Sequence, residues 1–217
     1  MIQLAGLKPF ASGDNRLCFV HPDDPSRCLK LNRPDNTPEM RRRGKHGWHH
    51  TLAYYDENLR DSRVLTVLEK VYDNGPFPKF YGWLETDFGP GLVVDLVRDE
   101  NGEISKTLQQ YLFRSPRMSD VRAALMSLAD FFKRNGCVIR GMQPHNMLVR
   151  DNADGLRLIV IDNLQLHMPS MLSRAVAKRH ACHVMLDLQR QLEILRDTTP
   201  RLSARADLPI PFIEDSP

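Results

Sequence analysis

Apolar and polar positions change rhythm about halfway along the chain. Before residue 98 the apolar residues come in short runs broken by turn formers, and after residue 105 they recur at helical spacing. Ile2 to Phe10 reads as a strand, and Ala11-Ser12-Gly13-Asp14-Asn15 as a polar turn with one glycine. Arg16-Leu17-Cys18-Phe19-Val20 is a second short strand, and His21-Pro22-Asp23-Asp24-Pro25-Ser26 a strong turn signal. Arg27-Cys28-Leu29-Lys30-Leu31 returns as a third strand, so residues 2–31 predict an antiparallel meander. Thr37-Pro38-Glu39 opens a helix, with a cap at Thr37 and proline in the first turn. A firmer helix follows over His49 to Arg60 and another around Val64 to Val71. Lys79 to Glu85 and Gly91 to Val97 read as strands joined by the turn Asp87-Phe88-Gly89-Pro90. Val93-Val94 makes the second of them apolar enough to be central.

The second half is read as helix, hairpin, helix. Thr107 to Phe113 is short, and Ser119 to Asn135 carries a buried stripe of Val121, Leu125, Leu128, Phe131 and Phe132, closed by Asn135-Gly136. Met147-Leu148-Val149 and Leu158-Ile159-Val160-Ile161 are apolar strands around the turn Asp151-Asn152-Ala153-Asp154-Gly155. Ser170 to Arg196 reads as a long helix that packs as core on this half, with docking on a membrane surface as the less favoured alternative. The boundary near residues 98–105 divides an α+β chain into a β-rich N-lobe, 1–98, and a short α-rich C-lobe, 99–217.

Composition narrows the classes. The chain has 217 residues, 41% hydrophobic and 26% charged, ordinary for a globular protein. No run of about 18 apolar residues offers a transmembrane helix, and the N-terminus has no basic region leading into an apolar core. Cys18, Cys28, Cys137 and Cys182 stand singly, which suits reduced thiols in a cytoplasm. A formal charge of +3 is too small to argue for nucleic acid. His49-His50 and His180-x-Cys182-His183 supply at most two ligands on one face, while a structural zinc needs four. Arg41-Arg42-Arg43-x-Lys45 reads as a basic segment entering a helix, with phosphate or membrane contact as the less favoured alternative.

The chemistry concentrates in Ile139-Arg140-Gly141-Met142-Gln143-Pro144-His145-Asn146-Met147-Leu148-Val149. Sixteen residues beyond Asn146, the strand Leu158–Ile161 ends in Asp162-Asn163-Leu164. This order of helix, polar loop, Pro-x-Asn, strand, turn, strand and Asp resembles the catalytic core of protein kinases and related small-molecule kinases. In that resemblance Arg140 to Asn146 stands for the HRDLKPEN loop and Asp162-Asn163-Leu164 for DFG. Asn146 and Asp162 at adjacent strand ends would hold Mg²⁺ against the phosphates of ATP. Taken alone they also fit ordinary turn residues. Upstream, Gly13 precedes Lys30 by seventeen residues across a β-turn-β unit. Lys30 would then contact the nucleotide phosphates, although a lone strand lysine is usually a solvated edge residue.

The chain also resembles the YrbL-like proteins of the PhoP regulatory network, small bacterial proteins of the kinase fold. The matching stretches are Cys18 to Pro22, Arg27 to Lys30, Phe80 to Leu92, Arg98-Asp99 to Ser105, Pro144 to Leu148 and Ile161 to Asn163. The resemblance implies a two-lobed protein-kinase-like fold and a regulatory connection. Departures from the kinase pattern bear on activity. Gly141 stands where the catalytic Asp is expected, Gln143 replaces the loop lysine, and His145 is a weak substitute base because alternation turns it away. Loss of a general base costs about 10²–10⁴ in rate. The acid that pairs with Lys30 is open between Glu39 and Glu57, both out of the usual spacing. Gly13 is a single glycine where such loops carry two or three.

The reading is an ATP- and Mg-binding, regulatory, pseudokinase-like protein acting through a protein partner. Its alternatives are a phosphotransferase on a small molecule or an envelope glycolipid precursor, and an interaction module that binds no nucleotide. About 55 residues follow Asp162, short of the helical platform on which protein kinases hold a peptide.

Overall fold

The computed structural model describes residues 1–44, 51–72, 74–114, 117–135, 138–140, 142–162, 164–167 and 190. Gly141, Asn163, Lys45, His49, His50, Cys137, His180, Cys182 and His183 lie outside them, as does the helix expected over 170–196 except at Arg190. Among the described residues two compact units are formed, one from Met1–Val67 and Lys79–Leu96, the other from Leu68–Pro78 and the described residues between Val97 and Arg190.

The first unit is built on a five-stranded antiparallel sheet of β1 (Ala11–Ser12), β2 (Arg16–His21), β3 (Asp24–Asn32), β4 (Phe80–Thr86) and β5 (Gly89–Asp95), in the order β1-β2-β3-β5-β4. Successive strand residues face opposite ways, and the sequence uses this. Phe19, Leu29, Leu31 and Val93 meet Leu4 in one buried cluster, flanked by Ile2, Leu17 and Leu84. Burial of each such side chain contributes about 1.5–3 kcal/mol. Across the register, Cys18 stands opposite Lys30, and Lys30 opposite Leu92. Between β3 and β4 the chain forms α1 (Pro38–Gly44), α2 (Leu52–Tyr55) and α3 (Glu57–Val71).

In the second unit, α4 (Leu108–Leu112) starts from a capping box in which the Thr107 hydroxyl accepts from Gln110 N and the Gln110 side chain accepts from Thr107 N. α5 (Met118–Asn135) buries Val121, Ala124, Leu125, Leu128, Ala129 and Phe132, and packs against the hairpin below. That hairpin, β8 (Met147–Asn152) with β9 (Gly155–Val160), joins β6 (Lys106–Thr107) in a three-stranded sheet. β7 (Val138–Arg140) pairs separately with β10 (Gln165–His167), Arg140 opposite Gln165. Phe77 and Tyr72 stack edge-on against Phe131. The loop after Val97 is fixed by Asp99, whose Oδ1 accepts from Ser105 Oγ at 2.5 Å and Asp151 N at 3.0 Å. Arg117 Nη2 donates to both oxygens of the Asp151 carboxylate, at 2.7 and 2.8 Å.

Several elements depart from the pattern reading for local reasons. Ile2 to Phe10 is not a strand: only Ile2 bridges Thr86, in parallel. Gly6 turns the chain at φ +86°, and Pro9 lacks the N–H a ladder needs. The two helices expected over 49–60 and 64–71 are instead one α3 from Glu57, preceded by the short α2. Ser62 and Thr66, polar residues inside α3, satisfy their hydroxyls on the carbonyls of Leu59 and Ser62. No helix among the described residues is long and apolar enough to cross a membrane.

Candidate functional site

Lys30 lies in β3, the middle strand of its sheet, and is 5% exposed. That is not the solvated edge position a lone strand lysine usually takes. Its carbonyl accepts from Asn58 Nδ2 at 3.0 Å, so the first turns of α3 lie against this point of the strand. Asn58 is fully buried and Asp61, three residues further on, is 1% exposed. Residues three apart share a helix face, so Asp61 belongs to the face that meets the sheet at Lys30.

The same face receives Arg16, which begins β2 and is 7% exposed. Its Nη1 stands 2.6 Å from Asp61 Oδ2 and its Nε 3.2 Å from Glu57 Oε2. Glu57 also accepts from Asn15 Nδ2 at 2.6 Å. Of the two acids the sequence left open beside Lys30, Glu39 is exposed on α1, and Glu57 joins the Arg16 network. Arg16, Asn58 and Asp61 were not legible as site residues. Their only signal is three acceptors, Glu57, Asn58 and Asp61, within two turns of one helix.

Gly13 occupies a tight turn rather than an open loop. Its N–H donates to Arg16 O at 2.9 Å, and its carbonyl accepts from Arg33 Nη1 at 3.5 Å. A Cβ placed on it would find Arg16 O at 4.0 Å as its nearest neighbour, with no unusual φ. Neighbouring bonds tie the turn further: Asn36 Nδ2 donates to Asp14 O at 2.9 Å and to Asn15 Oδ1 at 3.1 Å. Arg41, from the basic run, is also a structural tie. It donates to Asn36 O, to Tyr55 O at 2.6 Å and to Asn32 Oδ1 at 3.4 Å. Burial lowers the affinity of its guanidinium for the proton, while Glu57 and Asp56 act the other way.

In the second unit the polar loop ends in a single 3-10 turn, Pro144–Asn146. Asn146 N donates to Gln143 O at 2.8 Å, and Asn146 O accepts from Ile161 N at 3.0 Å. This last bond extends the β8–β9 ladder past the Met147–Val160 pair, so Asn146 and the residue before Asp162 are joined directly. Asn146 is 7% exposed, Asp162 half-buried, and Gln143 and His145 exposed. His145 and Asn146 thus differ in exposure within a 3-10 turn, not through the alternation of an extended loop. An amide oxygen and a carboxylate at one hairpin base are hard oxygen donors of the kind Mg²⁺ takes, with phosphate and water completing its shell. Among the described residues no group of three or more His, Cys, Asp or Glu is placed to hold a metal.

Comparison with known proteins gives one family. The model of PhoP regulatory network protein YrbL matches residues 2–193. The chain is 29% identical over 170 residues to the uncharacterized protein YrbL of Escherichia coli (strain K12), covering 76% of this chain and 73% of that one. The uncharacterized protein YrbL of Shigella flexneri matches with the same identity over the same shares.

Proposed function

We propose that this chain, which belongs to the family of PhoP regulatory network protein YrbL, binds Mg·ATP and acts as a regulator with little or no phosphotransfer. The observation that carries this reading is the burial of Lys30 in a central strand, 5% exposed. A lysine held at a buried central-strand position rather than on a solvated edge suits a phosphate-binding role, in which a compact ammonium meets phosphate oxygens. In support, strand order β1-β2-β3-β5-β4 with the helices inserted between β3 and β4 is the arrangement expected of a kinase-like N-lobe. Asp61 is the acid we assign to the Lys30 side of α3, in place of Glu39 or Glu57. Asn146 and Asp162 are the Mg²⁺ ligands of the reading.

The chemistry follows from what these residues offer. Lys30 would bind phosphate oxygens as a compact charge, and the Asn146 and Asp162 oxygens would hold Mg²⁺. Phosphoryl transfer depends mainly on positioning and charge stabilisation. Gly141 and Gln143 offer neither a proton acceptor nor a cation there. His145 is exposed, which leaves binding without efficient turnover.

The test is a Mg·ATP titration followed by melting temperature, on wild type, Lys30→Ala and Asp162→Ala. A ligand at 100 times its Kd stabilises by about 2.7 kcal/mol. The expected result is a Mg²⁺-dependent rise, lost in Lys30→Ala and no longer metal-dependent in Asp162→Ala. No shift in wild type would overturn the reading and leave an interaction module.

A further inference from the structure

We infer that Arg16 is a positioning residue for Lys30, a role that rests on the nucleotide-binding reading above. Arg16 stands opposite Asn32 on β3, and two positions along, Cys18 stands opposite Lys30. With a side-chain period of two, Arg16 and Lys30 share the sheet face that meets α3. Both are withdrawn from water, 7% and 5% exposed.

One guanidinium reaches three residues in the first turns of α3. Its Nε is 3.2 Å from Glu57 Oε2, and its Nη1 is 2.6 Å from Asp61 Oδ2 and 3.4 Å from Asn58 Oδ1. Asn58 then spends its amide donor on the Lys30 carbonyl, at 3.0 Å. Arg16 therefore holds the helix, and the helix holds the backbone of the lysine. A planar fork with several donors does this, and a single ammonium does not.

The arrangement has an electrostatic side as well. Glu57 and Asp61 are two carboxylates of α3 that Arg16 reaches. Arg16 takes up their charge, so that α3 stays docked on the strand before any ligand arrives. A docked helix means that the competent state need not be selected from a minor population, and that selection would otherwise weaken apparent affinity in proportion.

The test is the Kd of Mg·ATP for wild type, Arg16→Gln and Arg16→Lys, each shown folded by circular dichroism. Arg16→Gln is expected to weaken binding by about tenfold or more, through loss of the docked population. Arg16→Lys should recover part of that loss, because a cation returns without the fork. Dependence on Mg²⁺ should be the same in all three. Arg16→Gln can misfold by removing an ion pair from the buried Asp61, so a balanced pair accompanies it. Arg16→Met in an Asp61→Asn background is compared with Asp61→Asn alone, and weaker binding in the double variant supports positioning through Glu57 and Asn58. Equal affinity within that pair, or a folded Arg16→Gln that binds as wild type, overturns the role of Arg16 while the nucleotide reading stands. A wild type that does not bind overturns both.

Discussion

The Arg16 guanidinium and the Asp61 carboxylate form an ion pair at 2.6 Å between side chains only 8% and 2% exposed. Removing Arg16 strips an ion pair from the buried Asp61 carboxylate, whereas removing Asp61 leaves Arg16 its Glu57 contact at 3.2 Å. Arg16→Met alone should therefore cost about 3–5 kcal/mol, Asp61→Leu less, and the two together less than their sum. Denaturant midpoints of the four proteins check this, and simple additivity would contradict the pairing.

The second expectation concerns acid. Partial desolvation opposes ionisation of Asp87, but the N–H groups of Leu4 and Ala5 outweigh it and hold the carboxyl below its ordinary value. Both bonds are 2.8 Å. A folded-state value below the unfolded one means the ionised form stabilises. That contribution is complete above the ordinary aspartate value of about 3.9 and disappears as pH falls through the lowered folded value. An NMR titration should show the Leu4 and Ala5 amide shifts moving together below about pH 4. Asp87→Ala should abolish that movement and loosen Leu4 at neutral pH.

Arg150 and Arg157 stand directly opposite each other across β8 and β9, and both are exposed. Like charges directly opposed in an antiparallel pair are destabilising, by roughly 0.2–1 kcal/mol. Arg157→Thr should raise the melting temperature at low salt, and the gain should shrink as added salt screens the repulsion. A gain indifferent to salt would show that strand propensity rather than charge is responsible.

Thr107 caps α4 and also lies in β6, so it serves two elements. Thr107→Ala should cost about 1 kcal/mol through the lost cap, read as a lower urea midpoint with unchanged slope. Thr107→Ser keeps the hydroxyl and should recover most of it.

What the sequence disclosed depended on how local each cause is. The stripe Val121, Leu125, Leu128 and Phe132 in α5 and the apolar run Leu92-Val93-Val94 in β5 report their own burial, and both were readable. Asn146 and Asp162 were readable as a pair because a single hairpin separates them. β7 and β10 were not, since Val138–Arg140 and Gln165–His167 are three-residue strands that exist through pairing with each other across the whole hairpin. Arg16 and Asp61 were hidden for a similar reason. An arginine in a strand and an aspartate in a helix both read as surface residues until the fold buries them together. Leu4 was visible as apolar but not as core, because its place depends on Asp87, far along the chain.

The hydrogen bond from Ile161 N to Asn146 O makes one backbone proton a witness to both oxygen-bearing side chains. Solvent deuterium replaces an amide proton only when its bond opens. The exchange rate at Ile161 therefore times the opening of the hairpin base without altering Asn146 or Asp162. A cation that bridges those side chains would slow that clock, whereas a ligand settling elsewhere on the unit would leave it running at the same pace. Residue 161 thus offers an isotopic view of the candidate metal position in the unmodified protein.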